Sequence, residues 1–470
     1  MGVDVLKGTK YTSKEELIKR ALEIKGIPLK DIDSTGRLST GKGAIGTVVE
    51  ESWFGYSPNS DAEPDFPEAG VELKVTPYIY TKKGRRAKER LVCNIINYMD
   101  EYDKTFETSA FWKKCNTMLL MSYEHIPEKS KGDYTIDEVY LFDLSKEEFK
   151  EDLAIIKHDW ETIINKVRAG EAENISERDT NYLAACTKGA NKNSLREQPF
   201  SDIPAMQRAY SLKPAYMTRI LNTYIFGEKQ SEKIITNSQE LIKQTFEEYI
   251  KEKLKPYYGN TMVELKEKFG LEKDKTQKNI GEILLGKMLG IKGKISKTEE
   301  FQKANLQPKV IRINEDGLPR ESLVLGGNID FIKLTNEPWE ESQFYHELEK
   351  RYVFIIYKNH KVKGEKKPNL DDSEFIGIKF WGIPDADFEE AHNVWEKTVE
   401  TVKNGVVFKS ISGNRTSNNL PKSTESKVAH VRPHGKNSKD TSLLPDGRTI
   451  VKQSFWLNRK YIGKQLLGVI

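Results

Sequence analysis

The stretch Pro64-Asp65-Phe66-Pro67-Glu68-Ala69-Gly70-Val71-Glu72-Leu73-Lys74 places an acid after a proline, then a turn, then an acid and a lysine two residues apart. From Gly70 to Tyr80 the chain is rich in β-branched and aromatic residues, which predicts a strand. Side chains two apart on a strand leave the same face, so Glu72 and Lys74 stand side by side. The Pro67/Gly70 turn folds Asp65 back towards that face. Two carboxylates and one ammonium then share a small volume. Hard oxygen donors of this kind suit Mg2+, with the Leu73 carbonyl and phosphate oxygens completing the shell. Such an ion would polarise a phosphodiester and acidify a water. Lys74 could hold that water and offset developing negative charge. An acid-x-Lys pair alone reads equally as a surface ion pair beside a turn. The full P-D-x6-E-x-K string is much rarer.

Outward from this strand, helices and strands alternate. A helix is predicted near Lys14 to Ile24, with Leu17, Ala21 and Ile24 on one face, and a second starts near Ala44. Strands are predicted at Thr117–Tyr123 and Val139–Asp143, the latter ahead of a helix from Lys146 to Val167. Much of this order recurs 235 residues later. Ile45-Gly46 and Gly55 meet Ile280-Gly281 and Gly290, and Asp65-Phe66 meets Glu300-Phe301. Glu72-Leu73-Lys74-Val75 meets Gln307-Pro308-Lys309-Val310, and Met118–Met121 meets Val353–Ile356. Trp160-Glu161 and Gly170 meet Trp395-Glu396 and Gly405. Upstream, Glu16-Leu17-Ile18-Lys19 is similar to Glu240-Leu241-Ile242-Lys243. One spacing kept over so long a span reads as a duplication. The expected architecture is α/β in two tandem copies: residues 1–225, a polar linker at 226–235, and residues 236–470.

Composition agrees with a globular chain. Hydrophobic residues make up 37% and charged residues 31% of 470, which argues against a disordered or membrane-spanning protein. The N-terminal residues lack the apolar stretch of a signal peptide, so a cytoplasmic location is expected. Cys93, Cys115 and Cys186 are odd in number and widely spaced, which argues against a disulfide framework or a zinc knuckle. The net charge of +4 says little, but basic residues cluster. Lys82, Lys83, Arg85, Arg86, Lys88 and Arg90 fall within ten positions, and Val431 to Lys439 is also basic. Such clusters suit phosphate backbones, although each alone reads equally as a solvated loop.

The P-D-x6-E-x-K string resembles the P-D…(D/E)-x-K nuclease superfamily. Within it, the chain is most similar to the branch holding the mismatch-repair nickase MutH and the Sau-three-A type restriction enzymes. Three features carry the resemblance. Gly41-Lys42-Gly43-Ala44-Ile45-Gly46-Thr47-Val48-Val49-Glu50 looks like that branch's K-G-x-x-G-x-x-x-E helix, and Ala69 to Pro77 matches its active-site strand. The third is Glu107-Thr108-Ser109 with Lys114, ahead of Met118–Met121. The resemblance runs through most of residues 10–215. It implies a restriction-endonuclease-like fold, a mixed central sheet flanked by helices. It also implies catalytic roles for Asp65, Glu72 and Lys74, a further acid near the metal at Glu50, and an additional active-site lysine at Lys114. Tyr182 to Lys192 resembles the branch's base-reading loop, with Lys188 and Lys192 as DNA contacts and Cys186 where arginine is expected.

In the second copy Glu50 becomes Leu285, Asp65 becomes Glu300 and Glu72 becomes Gln307, while Lys309 keeps the lysine. Glu347 or Glu349 falls where Lys114 should be. Leucine cannot ligate a metal and glutamine lacks the charge that holds one, so this copy is expected to do no chemistry. By contrast, His430-Val431-Arg432-Pro433-His434-Gly435-Lys436-Asn437 looks like the base-reading loop with its arginine present. Arg432, His434, Lys436 and Asn437 are its expected DNA contacts, since Arg and Lys can donate to guanine and Asn can pair with adenine. A zinc site at His430 and His434 would need further His or Cys ligands, and none is close in sequence.

The resemblance therefore implies a Mg2+-dependent type II restriction endonuclease acting on double-stranded DNA at GATC, cutting 5′ of the guanine. The second copy would clamp the same site or bind another site as an effector. The chain is expected to work as a monomer or a DNA-induced dimer, away from membranes. A GATC-specific repair nickase and a non-catalytic sequence-specific DNA-binding protein are the alternatives. Two copies favour restriction over the single-domain nickase, and the set Glu50, Asp65, Glu72 and Lys74 disfavours a binding protein.

Overall fold

The computed structural model describes residues 10–39, 41, 43–58, 62–82, 84–189, 193–271, 279–360, 370–411 and 415–468. Lys42, Lys83 and the expected DNA contact Lys192 lie outside the described residues. The chain folds into two compact units, Met1–Phe246 with Lys297–Asn305, and Glu247–Ser296 with Leu306–Ile470.

The first unit contains strands β1 (Glu72–Thr81), β2 (Gly84–Ala87), β3 (Leu91–Ile95), β4 (Thr117–Glu124) and β5 (Glu138–Asp143). They are followed by β6 (Leu183–Thr187), β7 (Leu195–Gln198), β8 (Ser201–Met206) and β9 (Arg208–Leu212). The main sheet runs β2-β1-β4-β5. Only the central pair β1 and β4 is parallel, so the sheet is mixed as expected. Met118 to Met121 are fully buried on both faces of β4, which is why that strand reads as an unbroken apolar run. Helix Lys14–Glu23 starts at Ser13, whose side chain accepts from the Glu16 amide. It turns Leu17 and Ala21 into a core shared with Phe54, Phe66, Val71, Leu119 and Met121. Helix Lys150–Arg168 follows a single turn of 3-10 helix at Glu147–Phe149. A second sheet, β3-β9-β6, and the hairpin β7-β8 complete the unit.

The second unit holds β10 (Leu306–Ile313), β11 (Leu323–Leu325), β12 (Arg351–Lys358), β13 (Glu374–Trp381) and β14 (Phe408–Ile411). Then come β15 (Arg415–Asn418), β16 (Ala429–Pro433), β17 (Thr441–Leu443), β18 (Thr449–Val451) and β19 (Gln453–Leu457). Its main sheet is β10-β12-β13, with β10 parallel to β12 and β13 antiparallel. A β11-β19-β16 sheet and the pairs β17-β18 and β14-β15 accompany it. Strand order and direction thus repeat those of β1-β4-β5 and β3-β9-β6. Helices Lys150–Arg168 and Asp385–Lys403 have the same length of 19 residues.

Three details depart from the sequence reading. Glu72 pairs with Met118 but Gln307 pairs with Tyr352, so the counterpart of Met118 in the second unit is Tyr352 rather than Val353. A one-residue slip of this kind turns every side chain to the other face. Glu240 and Leu241 end a 3-10 turn inside the first unit, and helix Phe246–Leu254 takes the place that Lys14–Glu23 has in the first half. It is followed by Gly259, whose amide donates to the Phe375 carbonyl as that of Gly26 does to Ile136. Finally, the polar stretch at 226–235 ends in buried structure. Ile234 and Ile235 are buried, and their amides donate to the Glu300 carboxylate at 3.0 and 2.9 Å. Beside them Arg219 pairs with Glu299 at 2.6 Å and Lys303 with Asp152 at 2.7 Å. Contacts this distant in sequence draw 236–246 and 297–305 into the first unit, a boundary that local polarity does not reveal. No helix among the described residues is long and apolar enough to cross a membrane.

Candidate active site

The turn after Phe66 builds the site. Phe66 and Val71 exchange backbone hydrogen bonds at 2.9 and 3.2 Å, and Gly70 between them has φ +64°. Phe66 is anchored by Phe54 and Tyr56, ring centroids 5.0 and 4.9 Å away. Asp65 is thereby returned to the start of β1. Its amide donates to Glu72 Oε2 at 3.1 Å, and its own Oδ2 accepts from the Leu73 amide at 3.0 Å. Lys74 Nζ donates to Glu72 Oε1 at 2.8 Å and to the Cys93 carbonyl at 3.4 Å. The Cys93 acceptor was missed in the sequence, because a main-chain oxygen supplied by another strand leaves no side-chain signal.

Two more elements point at the same place. Glu50 lies on a π-helical turn, Val49–Trp53, that continues helix Ala44–Val48; widened turns of this sort often mark functional sites. Lys114 lies on helix Ala110–Cys115, capped by Ser109, with Nζ 3.9 Å from Glu72 Oε2. The electrostatics register the crowding. Burial, then the charges of Asp65 and Glu72, push the Glu50 carboxyl up to about 7 against the pull of Lys114 and Lys74. Burial also raises Glu72, which is only 2% exposed, with Lys74 opposing and Asp65 reinforcing the rise. For Lys74 burial works downwards, but Glu72 beside it more than compensates, and the ammonium is held above its ordinary range.

Among the described residues no three His, Cys, Asp or Glu side chains form a cage for a metal by themselves. Mg2+ does not require one, since one or two carboxylates with substrate phosphate and water commonly suffice. Asp65 and Glu72 offer those two carboxylates, so the donor set fits this ion.

Comparison with known proteins agrees with this geometry. The family model described as DNA mismatch repair enzyme MutH matches residues 54–159, a span that includes Asp65, Glu72, Lys74 and Lys114. The type II restriction enzyme Sau3AI of Staphylococcus aureus is 35% identical, over 97% of this chain and 99% of that protein. The chain belongs to the Sau3AI family of type II restriction enzymes. It is a site-specific deoxyribonuclease. The DNA mismatch repair proteins MutH of Shewanella woodyi and Escherichia coli are 29% and 28% identical. Each of these matches takes in 39% of the chain, and 78% and 80% of the respective MutH protein.

In this Sau3AI-family chain β6 of the first unit runs into Lys188, whose amide donates to the Gln207 carbonyl at 2.7 Å. Cys186 is only 3% exposed within β6. In the second unit Arg432, His434, Lys436 and Asn437 are all exposed. The Arg432 guanidinium stacks 4.5 Å over the Trp456 ring, and His434 Nδ1 lies 3.0 Å from Ser454 Oγ. The Lys436 amide donates to Asp440 at 3.0 Å, and Asn437 Oδ1 accepts from the Lys439 amide at 2.9 Å. His430 is buried and its Nδ1 pairs with Asn458. Of the basic cluster at 81–90, Arg85 stacks on Phe226 at 3.5 Å and Arg90 pairs with Glu177. Lys82, Arg86 and Lys88 are exposed.

The second unit arranges different chemistry where the first has its carboxylates. Leu285 is fully buried. Glu300 belongs to the first unit, on helix Glu299–Lys303, with its carboxylate spent on two backbone amides. Burial lowers the Lys309 pKa, with Glu347 opposing. Glu347 is the fifth residue of a helix capped by Ser342, as Lys114 is of the helix capped by Ser109. Glu347, rather than Glu349, therefore replaces Lys114. It is held by Lys350 at 2.6 Å and the Tyr352 hydroxyl at 3.0 Å.

Proposed function

We propose that the chain is a Mg2+-dependent restriction endonuclease that breaks both strands of DNA at GATC, 5′ of the guanine, from a single active site in its first unit. The meeting of Asp65, Glu72 and Lys74 beside Glu50 and Lys114 carries this reading. GATC and the cut position rest on the family resemblance. Asp65, Glu72 and the Leu73 carbonyl would hold Mg2+, with Glu50 as an outer carboxylate. The bound ion supplies positive charge against the scissile phosphate and acidifies an attacking water. Lys74, kept as ammonium by Glu72, orients that water and stabilises negative charge gathering on the phosphate, and Lys114 adds a second cation.

The repeated strand order supports reading the two units as tandem copies of one restriction-endonuclease-like fold. The second, with Leu285 and Gln307 at the carboxylate positions, is read as a recognition copy. It engages DNA through Arg432, His434, Lys436 and Asn437, either clamping the cut site or holding a second site as an effector. Lys188 and Lys192 contact DNA in the first. The protein acts in the cytoplasm as a monomer or a DNA-induced dimer.

A supercoiled plasmid carrying GATC tests the reading. Linear product is expected in Mg2+ and intact plasmid in EDTA. Persistent open circles would shift the assignment to a nickase, and site-specific retention without cutting would shift it to a binding protein. Asp65→Ala and Glu72→Ala are each expected to abolish cleavage. Full activity in either variant would overturn the catalytic assignment.

A further inference from the structure

We infer that Arg196, held in place by Gln207, is the residue through which the first unit reads guanine, replacing the arginine that its reading strand lacks. The inference rests on the proposed base-reading role of the loop after β6. In the second unit β16 pairs with β19 so that Arg432 faces Ser454. Paired residues share a face, and so do residues two apart. That face accordingly carries Arg432, His434, Ser454 and Trp456, with the stacking and hydrogen bond already described. The first unit pairs Cys186 with Ala209 in the same register. A thiol 3% exposed cannot reach a base edge. Arg208, the neighbouring guanidinium on β9, is equally buried, and its Nη1 donates to the Ala185 carbonyl at 2.8 Å. Neither strand presents an exposed arginine.

The hairpin that closes the loop does. Gln207 accepts from the Lys188 amide and donates its own amide to the Ser194 carbonyl at 2.9 Å, so it braces both described ends of the loop. Arg196 lies two residues beyond Ser194, opposite Ala205 on β8. The alternation therefore brings Cys186, Lys188, Gln207 and Arg196 to one face. The side chains agree, since Arg196 Nη2 donates to Gln207 Oε1 at 2.9 Å and Nη1 to the Leu195 carbonyl at 2.8 Å. Arg196 is exposed. These two bonds engage two of the five N–H groups of a guanidinium, and the planar fork matches O6 and N7 of guanine. A side chain already held in one orientation loses less entropy on binding.

The surroundings fit a nucleobase. An open groove of about 500 Å³ is lined by Ile95, Asn97, Met99, Leu195, Arg196 and Glu197. Its wall continues to the cutting site: Ile95 lies on β3 two residues after Cys93, whose carbonyl meets Lys74. Two residues of strand span about 7 Å, well within the roughly 14 Å length of four base pairs.

Cleavage of a GATC duplex whose guanines are replaced by 7-deazaguanine, which keeps pairing but lacks N7, tests the inference. With the full chain in Mg2+, the wild type is expected to cut the modified duplex about 10- to 100-fold more slowly than the normal one. Arg196→Ala is expected to slow cutting of the normal duplex and to lose about tenfold of that 7-deazaguanine penalty. Gln207→Ala, a positioning change, should lose part of the penalty, whereas a merely structural or phosphate-contacting role for Arg196 would leave it intact. An undiminished penalty in Arg196→Ala, or no penalty in the wild type, overturns the inference while leaving the nuclease reading in place. A wild type that fails to cut the normal duplex sinks that underlying reading, and the inference with it.

Discussion

In the proposed chemistry Lys74 is useful only as a cation, and Glu72 at 2.8 Å keeps it one against the opposing effect of burial. Lys74→Ala should therefore lower single-turnover cleavage by on the order of 100- to 1000-fold, the cost of deleting one donor from a developing anion. DNA retention should change by no more than a few-fold, because phosphate contacts elsewhere supply most of the affinity. Comparable losses in both assays would assign Lys74 to binding instead. At this scale the sequence was informative wherever geometry is local. A turn and strand alternation suffice to bring Asp65, Glu72 and Lys74 together, and Glu50 and Lys114 followed from family motifs. The fate of Glu300 was not legible. It is numbered like Asp65 but rides on a helix and caps Ile234 and Ile235, and nothing nearby in the chain announces those partners.

The turn from Phe66 to Val71 is the element on which metal binding would depend. Gly70 adopts φ +64° with open space where a Cβ would go, so the objection to a side chain there is conformational alone. Gly70→Ala should cost roughly 1–2 kcal/mol, measurable as a lower urea midpoint. Cleavage should fall further than stability accounts for, because the turn aims Asp65. Activity at the wild-type level in the folded variant would show that another conformation positions the acid equally well. Elements with strong internal patterns were foreseen to within a few residues, among them Lys14–Glu23 and β4. The slip at β12 was not, because fixed-offset matching cannot register a single-residue length change in the connection before the strand. The π-turn carrying Glu50 has no pattern distinct from an ordinary helix.

Two buried ion pairs, Arg219–Glu299 and Lys303–Asp152, hold residues 297–305 within the first unit. Lys303→Ala would leave Asp152, 4% exposed, without its ammonium, with the Tyr216 hydroxyl still donating to it at 3.1 Å. The expected loss is about 3–5 kcal/mol in urea unfolding of the full chain, typical of an orphaned buried charge. A loss below about 1 kcal/mol, the range of exposed pairs, would mean water reaches the pair. A fragment ending at residue 225 should be less stable than the first unit of the intact chain, since it lacks Ile234, Ile235, the partner acid Glu299 and the partner base Lys303. Circular dichroism of the purified fragment checks this. The division of the chain was not readable from the repeat, because it is drawn by pairings more than sixty residues apart. The polypeptide passes from one unit to the other at 246/247, 296/297 and 305/306. A protease nick anywhere from 247 to 305 would thus yield two pieces that each carry parts of both units. Genetic exchange meets the same obstacle: no single crossover can replace the second unit with a homologue's and leave the first intact, so the two units are inherited together.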